Sequence, residues 1–433
     1  MSAPKRVVVV GLWHLGSVNA VGFCEKGYAV TGIEPDAARL ASFRAGKAPL
    51  FEPGLDDALK KHIASGALTF ASSFEAVAEA DYFVIAYDSP VDANDAVDIT
   101  PVVEAAKNAA PYLRPATPVV VTSQVPLGSC AAIEAQIEKA NAGWKSGIVY
   151  TPENLRLGQA IGLFLEPDML VFGTSKKAAL DAALALYEPF VTEKVPMDLK
   201  SAEMVKHALN TFLATSITFI NEIAAISKRL GADSVQVGKA LKLDKRIGKK
   251  ALLMPGLGFS GGTLARDVRQ LQKFASELGH RAPLLDAIFT VNEGTFDEVV
   301  AIVRRKLGAL KGRTIGILGL TYKAGTSTVR QSPALKVIAR LTSEDATCLA
   351  YDPQADPAEL AESALRVERV ASIDDVTKRA EALVLLTEWP EFRDYDYTKV
   401  AAAMKTPIVV DAKNILDPAR ARAAGIDYEG FGR

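Results

Sequence analysis

The sequence predicts an α/β fold: two doubly wound parallel-sheet domains joined by a central helical domain with one long helix. Three observations carry this. Short β-branched runs alternate with Ala-, Leu- and charge-rich stretches of helical periodicity as far as Lys200. Ser201–Leu230 then runs without a single Gly or Pro, and from Lys311 the strand-and-helix alternation restarts. Continuous apolar strands separated by helices mark a sheet covered on both faces, which is the setting of parallel strands.

In the first domain, residues 1–200, the strand runs are Val7–Val10, Ala29–Glu34, Leu68–Ala71, Tyr82–Tyr87, Pro118–Ser123, Gly147–Thr151 and Met169–Gly173. The second domain, residues 201–310, opens with the long helix, which Gly231 stops. Helices of this length and apolarity suit packing between domains or subunits. A glycine-dense loop, Met254 to Thr263, and a second helix, Pro283–Leu307, follow. The third domain, residues 311–433, carries the runs Thr314–Leu318, Cys348–Tyr351, Ala382–Leu386 and Pro407–Val410.

Composition removes several function classes. The 433 residues hold 50 Lys+Arg against 51 Asp+Glu, a balance that argues against a nucleic-acid partner. The apolar run at Val7–Val10 is too short for a signal peptide, and no uninterrupted apolar window of membrane-spanning length occurs. The three cysteines, Cys24, Cys130 and Cys348, lie far apart, so neither a disulfide framework nor a metal site is expected. A cytoplasmic protein without a membrane partner is the expectation.

The first run leads into Gly11-Leu-Trp-His-Leu-Gly16 and an apolar helix, a dinucleotide fingerprint in its proper strand–turn–helix context and hence a Rossmann-like domain. Helix-start amides there suit a pyrophosphate. Glu34, closing the second run, suits a ribose diol and disfavours a 2′-phosphate, so NAD is the expected cofactor. Trp13 stands where a middle glycine is usual. Its side chain must point away from the ligand or obstruct it, and a tight turn without a cofactor is the competing reading.

Motif order extends the reading to almost the whole chain. AGKAPLFEPGLDDAL (45–59), SQVPLGS (123–129), TPENLRLG (151–158), AEMVKHALNTFLATSITFINEI (202–223), DKRIG (244–248), GLTYKAGTSTVRQSPAL (319–335), YDP (351–353) and TEWPEF (387–392) resemble the UDP-glucose/GDP-mannose dehydrogenase family. The resemblance implies NAD-dependent oxidation of a sugar-nucleotide alcohol, a nucleotide-sugar-binding third domain that is also Rossmann-like, and a homodimer through the central helix. It places Lys206 and Asn210, one helical turn apart, beside the reacting carbon, where the ammonium can stabilise an oxyanion. Asp267 matches a carboxylate that works with water in proton transfer, and Glu153 a glutamate linked to hydrolysis of a covalent intermediate. Leu15, Ser89, Pro90 and Gln124 join Gly11, Trp13, Gly16 and Glu34 at the cofactor. Gly258, Lys323, Arg330 and Lys413 fall at the nucleotide sugar, and Arg246 matches an arginine that enters the neighbouring subunit's site.

The departures concern chemistry. Thr263 stands where the family has its nucleophilic cysteine, and a threonine hydroxyl with no evident base attacks an aldehyde poorly. Gln124 replaces a threonine, Leu157 a second glutamate, and Ser327, Thr328 and Gln331 replace acidic residues. Tyr87-Asp88 adds bulk and charge before Ser89-Pro90. The expectation is a UDP-glucose 6-dehydrogenase-like enzyme that oxidises a primary alcohol only as far as the aldehyde. The alternatives are a catalytically impaired nucleotide-sugar and NAD binding protein, or a ring-carbon, ketone-forming dehydrogenase. His14, His62, His207 and His280 read as structural, as does the aromatic stretch Trp389 to Phe392.

Overall fold

The computed structural model describes residues 4–90, 97–259 and 261–433. The chain divides into two compact units, Met1–Ala208 and Leu209–Arg433, with the boundary inside one unbroken helix, Leu199–Leu230.

In the first unit eight strands form one sheet: β1 Arg6–Val10, β2 Ala29–Ile33, β3 Leu68–Ala71, β4 Tyr82–Ile85, β5 Val119–Val121, β6 Ile148–Tyr150, β7 Leu170–Gly173 and β8 Lys194–Met197. Their order is β3-β2-β1-β4-β5-β6-β7-β8. Val7 and Val9 enter a core with Phe23 and Phe172, while Val8 and Val10 enter another with Phe83 and Ile148. That alternation is what a strand covered on both faces requires. β1 to β6 pair in parallel, but β7 meets β6 antiparallel and β8 follows β7, so the last two strands run backwards. This departs from the all-parallel arrangement expected of Met169–Gly173. β8 was not legible because KVPM is partly exposed and carries a proline, which only an edge strand tolerates.

In the second unit six strands, β9 Thr314–Leu318, β10 Thr347–Tyr351, β11 Val367–Arg369, β12 Ala382–Leu385, β13 Ile408–Asp411 and β14 Asp427–Gly430, form a wholly parallel sheet. The order β11-β10-β9-β12-β13-β14 is that of a doubly wound dinucleotide fold. Helices Ser234–Leu241, Gly261–Glu277 and Pro283–Leu307 precede this sheet in the chain. One core joins Ala224, Leu257, Phe296 and Val299 to Ile315 and Ile317, so the helical segment shares its interior with this sheet.

By length and composition alone, Leu199–Leu230 is long and apolar enough to cross a membrane. Its Glu203, Lys206 and Asn210 are nevertheless buried and hydrogen-bonded to protein groups, the arrangement of a core helix.

Candidate active site

β1 ends at Val10, and the chain turns at Gly11, with φ of 92°, into the helix His14–Glu25. A Cβ on Gly11 would lie 2.8 Å from the Tyr87 amide nitrogen, and one on Gly16 2.1 Å from the Gly11 carbonyl oxygen. Backbone therefore approaches backbone at both glycines, and no larger residue fits without displacement. This turn lies at the β1/β4 boundary, where the strand order reverses and doubly wound sheets hold their ligands at the strands' carboxyl ends.

The other expected cofactor residues gather at the same ends. After β4, Ser89 Oγ donates to the Gln124 carbonyl at 2.7 Å and the Tyr87 amide to Ser123 Oγ at 2.7 Å. Glu34 follows β2 and is 5% exposed, its Oε1 accepting from the Asp36 amide at 2.9 Å and Arg39 Nη2 at 3.1 Å. Trp13 is 46% exposed, so its indole is not packed into the turn. A glycine cradle and a carboxylate closing β2 fit a dinucleotide with a free ribose diol. One contact is unannounced by the motif: the Leu15 amide donates to Asp88 Oδ2 at 2.9 Å. Desolvation pushes the Asp88 carboxyl above its ordinary range and Glu153 adds to the rise, against the Leu15 amide and His14.

Two buried acids outside the expected set, Glu52 and Glu203, organise this end of the sheet. Glu52 takes His14 Nε2 at 2.9 Å together with the amides of Gly158 and Ala160 at 2.8 and 2.9 Å, so His14 is structural, as read. His62 likewise bonds Glu25 at 2.7 Å. Glu203, fully buried, accepts from the amides of Gly128 and Cys130 at 2.5 and 2.9 Å, placing a carboxylate at the start of helix Ser129–Ala140. Glu52 had a sequence signal in its EPG motif; Glu203 had none, because a glutamate in a helix ordinarily reads as solvated.

Within the first unit, Lys206 is 4% exposed. Its Nζ donates to the Glu153 carbonyl at 2.5 Å, reaches Asn154 Oδ1 at 3.5 Å and lies 3.6 Å from Glu153 Oε1. Glu153, partly exposed, also accepts from the Leu155 amide at 2.7 Å. An ammonium held in a dry, fixed position is suited to stabilising negative charge that develops on oxygen.

Within the second unit, Asn210 Nδ2 donates to Asp267 Oδ2 at 2.5 Å, both residues being buried. Thr263 lies one turn before Asp267 on helix Gly261–Glu277 and is exposed. The loop before it is clamped twice. Asn221 Oδ1 accepts the Gly256 amide at 2.9 Å; Asn292 accepts the Phe259 amide at 2.8 Å and donates to the Phe259 carbonyl at 3.2 Å. Gly258 passes against Asn292 with φ of 50°.

Arg246 projects with an 89% exposed side chain, bidentate with Asp244 at 3.0 and 2.7 Å. Lys323 is half-buried and Arg330 exposed on the segment after β9, while Lys413 Nζ pairs with Glu388 at 2.8 Å. Asp352 binds the Leu320 and Thr321 amides at 2.7 and 3.0 Å and Trp389 Nε1 at 3.1 Å, which makes Trp389 a structural clamp. All three cysteines are buried. Burial pushes the thiols of Cys24 and Cys348 up to about 12 and that of Cys130 well above its ordinary value, so none presents a thiolate near neutrality.

A doubly wound sheet with a glycine cradle at its switch point, an acid closing β2 and a second nucleotide-type sheet define a dinucleotide-dependent oxidoreductase. The UDP-glucose/GDP-mannose dehydrogenase family models match the NAD binding domain at residues 5–191, the central domain at 200–294 and the UDP binding domain at 316–418. The chain belongs to the UDP-glucose/GDP-mannose dehydrogenase family, and its cofactor is NAD. It is 34% identical over 431 residues to a UDP-glucose 6-dehydrogenase of Bacillus subtilis, covering 99% of this chain and 93% of that one. A UDP-glucose dehydrogenase structure from Pyrobaculum islandicum superposes with a TM-score of 0.89 at 33% identity, covering 100% of this chain and 98% of that one. A UDP-D-ManNAc dehydrogenase from Pyrococcus horikoshii, 23% identical with a TM-score of 0.86 over 99% of both chains, shares the fold.

Proposed function

We propose that this NAD-dependent nucleotide-sugar dehydrogenase oxidises the primary alcohol of a UDP-linked sugar and releases the aldehyde. The observation that carries the reading is the pairing of a buried Asn210–Asp267 contact and a buried Lys206 with the lack of any available thiol. Lys206 and Asn210 occupy successive turns of one helix, so we assign them to one substrate. The Asp267 carboxylate takes the proton of the substrate hydroxyl, Asn210 holds that carboxylate in place, and the Lys206 ammonium stabilises the alkoxide. Bound NAD supplies the acceptor for the hydride. One C–H hydride and one O–H proton leave, two electrons in all, and the carbon becomes an aldehyde.

In the family a second oxidation passes through a thiohemiacetal on cysteine. Thr263 occupies that position, and the three thiols of this chain are buried and protonated. Only the slower route through an aldehyde hydrate is then open. Counting NADH per sugar consumed, with UDP- and GDP-sugars compared, tests this: one equivalent with an aldehyde is expected, and two with a uronic acid would refute it. Product NMR separates oxidation at the primary alcohol from ketone formation on the ring.

A homodimer through the central helix completes the reading. Phe212, Phe219 and Ile226, seven residues apart, are 68%, 47% and 51% exposed in the single chain. That spacing makes one apolar seam along a helix, and the projecting Arg246 is available to a second subunit. Light scattering of Phe219→Glu should report a monomer where the wild type is a dimer.

A further inference from the structure

Asp88 stands just beyond β4, and its Oδ2 accepts the Leu15 amide at 2.9 Å. Leu15 lies in the first turn of helix His14–Glu25, whose cap residue, Trp13, makes no side-chain capping bond. First-turn amides of such a helix carry no intrahelical partner and are the donors that a diphosphate takes. Asp88 already supplies there what the diphosphate brings, an anionic oxygen at the positive end of a helix. It does so at an exposed residue, where two anions directed at one N–H at hydrogen-bond distance still repel.

We propose that Asp88 is a gate on the cofactor's diphosphate: its carboxylate holds the Leu15 amide, and NAD gains that donor only after the carboxylate turns away or takes a proton. The proposal rests on the NAD-binding reading of the same cradle. The motif supports it from a second side, since Tyr87-Asp88 is this chain's departure from the family's turn before Ser89-Pro90. The ionisable groups facing Asp88 from neighbouring elements are His14, beside Leu15 on the helix, and Glu153, from the segment after β6. His14 is tied to Glu52 at 2.9 Å and Glu153 lies 3.6 Å from Lys206. Desolvation of the carboxyl favours the protonated form of Asp88. The sign follows: the gate opens as pH falls, and NAD binds the wild type more tightly in acid than in alkali.

Calorimetric titration of the full-length protein with NAD, and with adenosine as a probe lacking phosphate, tests this between about pH 8 and about pH 5. Asp88→Asn, which removes the charge, and Asp88→Gly, which removes charge and acceptor, are expected to bind NAD at least about tenfold more tightly than wild type at the alkaline end. The advantage should shrink toward the acid end, and adenosine affinity should stay unchanged throughout. Because His14 and Glu153 are retained in both variants, loss of the pH slope assigns it to Asp88. Variants that bind NAD no better than wild type, or that gain equally for adenosine, overturn the gate while leaving the NAD reading intact. Failure of wild type and variants alike to bind NAD overturns both.

Discussion

Replacing Gly16 with alanine measures how tightly the cofactor cradle is drawn. The added Cβ would lie 2.1 Å from the Gly11 carbonyl oxygen, 2.7 Å from its carbon and 3.2 Å from the Ala86 carbonyl oxygen. All three are backbone atoms at the ends of buried strands and cannot rotate aside. The helix start must therefore shift by about an ångström, an overpacking cost of about 1–3 kcal/mol. Alanine's better helix propensity returns up to about 1 kcal/mol, leaving a net loss of about 1–2 kcal/mol. At this chain length, with an unfolding entropy of roughly 0.9 kcal/mol/K, that is a fall of about 1–2 °C in Tm. Gly294 is the internal control, an exposed residue of helix Pro283–Leu307 with no heavy atom within 4 Å of its added Cβ. Gly294→Ala should instead gain about 0.5–1 kcal/mol and melt higher. Thermal melts by circular dichroism, with NAD titrated against tryptophan fluorescence, read both effects. Gly16→Ala should also weaken NAD by about tenfold or more, because the Leu15 amide moves with the helix start. If it melts at or above wild type and binds NAD equally, the close-approach reasoning is wrong.

The other expectations concern separate parts of the molecule. Thr263→Cys should raise NADH per sugar from one toward two, and an unchanged ratio would remove Thr263 as the cause of an early stop. Glu203→Ala leaves the partly buried Gly128 amide and the buried Cys130 amide unpaired and should cost about 2–4 kcal/mol in chemical denaturation. Lys61 and His62 hold the Glu25 carboxyl below its ordinary 4.5, so its contribution is present above that value and lost as pH falls through the lower, folded one. The Tm gap between wild type and Glu25→Gln should accordingly close in acid and stay constant near neutrality. All three thiols should resist Ellman's reagent in the native protein and react on unfolding.

Legibility tracked the reach of the interactions. The central strands were readable because Val7–Val10, Phe83–Ile85 and Leu383–Leu385 are buried and continuously apolar. The edge strands β8, β11 and β14 were not, since polar and partly exposed residues leave no such pattern. Gly11, Gly16 and Glu34 were legible as cofactor candidates because a strand–turn–helix carries its fingerprint within a short stretch of chain. Glu52, Glu203 and Asn292 were missed because each acts on backbone amides far along the chain, 73 to 75 residues away for Glu203.

The sequence by itself determined the alternation of strands and helices, the dinucleotide turn and the order of the family motifs. These are local or positional properties, settled by residue type and spacing. Tertiary structure alone decided that β7 and β8 run backwards, that every thiol is sealed from solvent, that Asn210 meets Asp267 and that Asp88 sits on the Leu15 amide. Those outcomes depend on which loops the folded sheet brings to the same strand ends and on how much water it leaves there. Both are fixed by packing between distant segments, and no spacing in the chain records them.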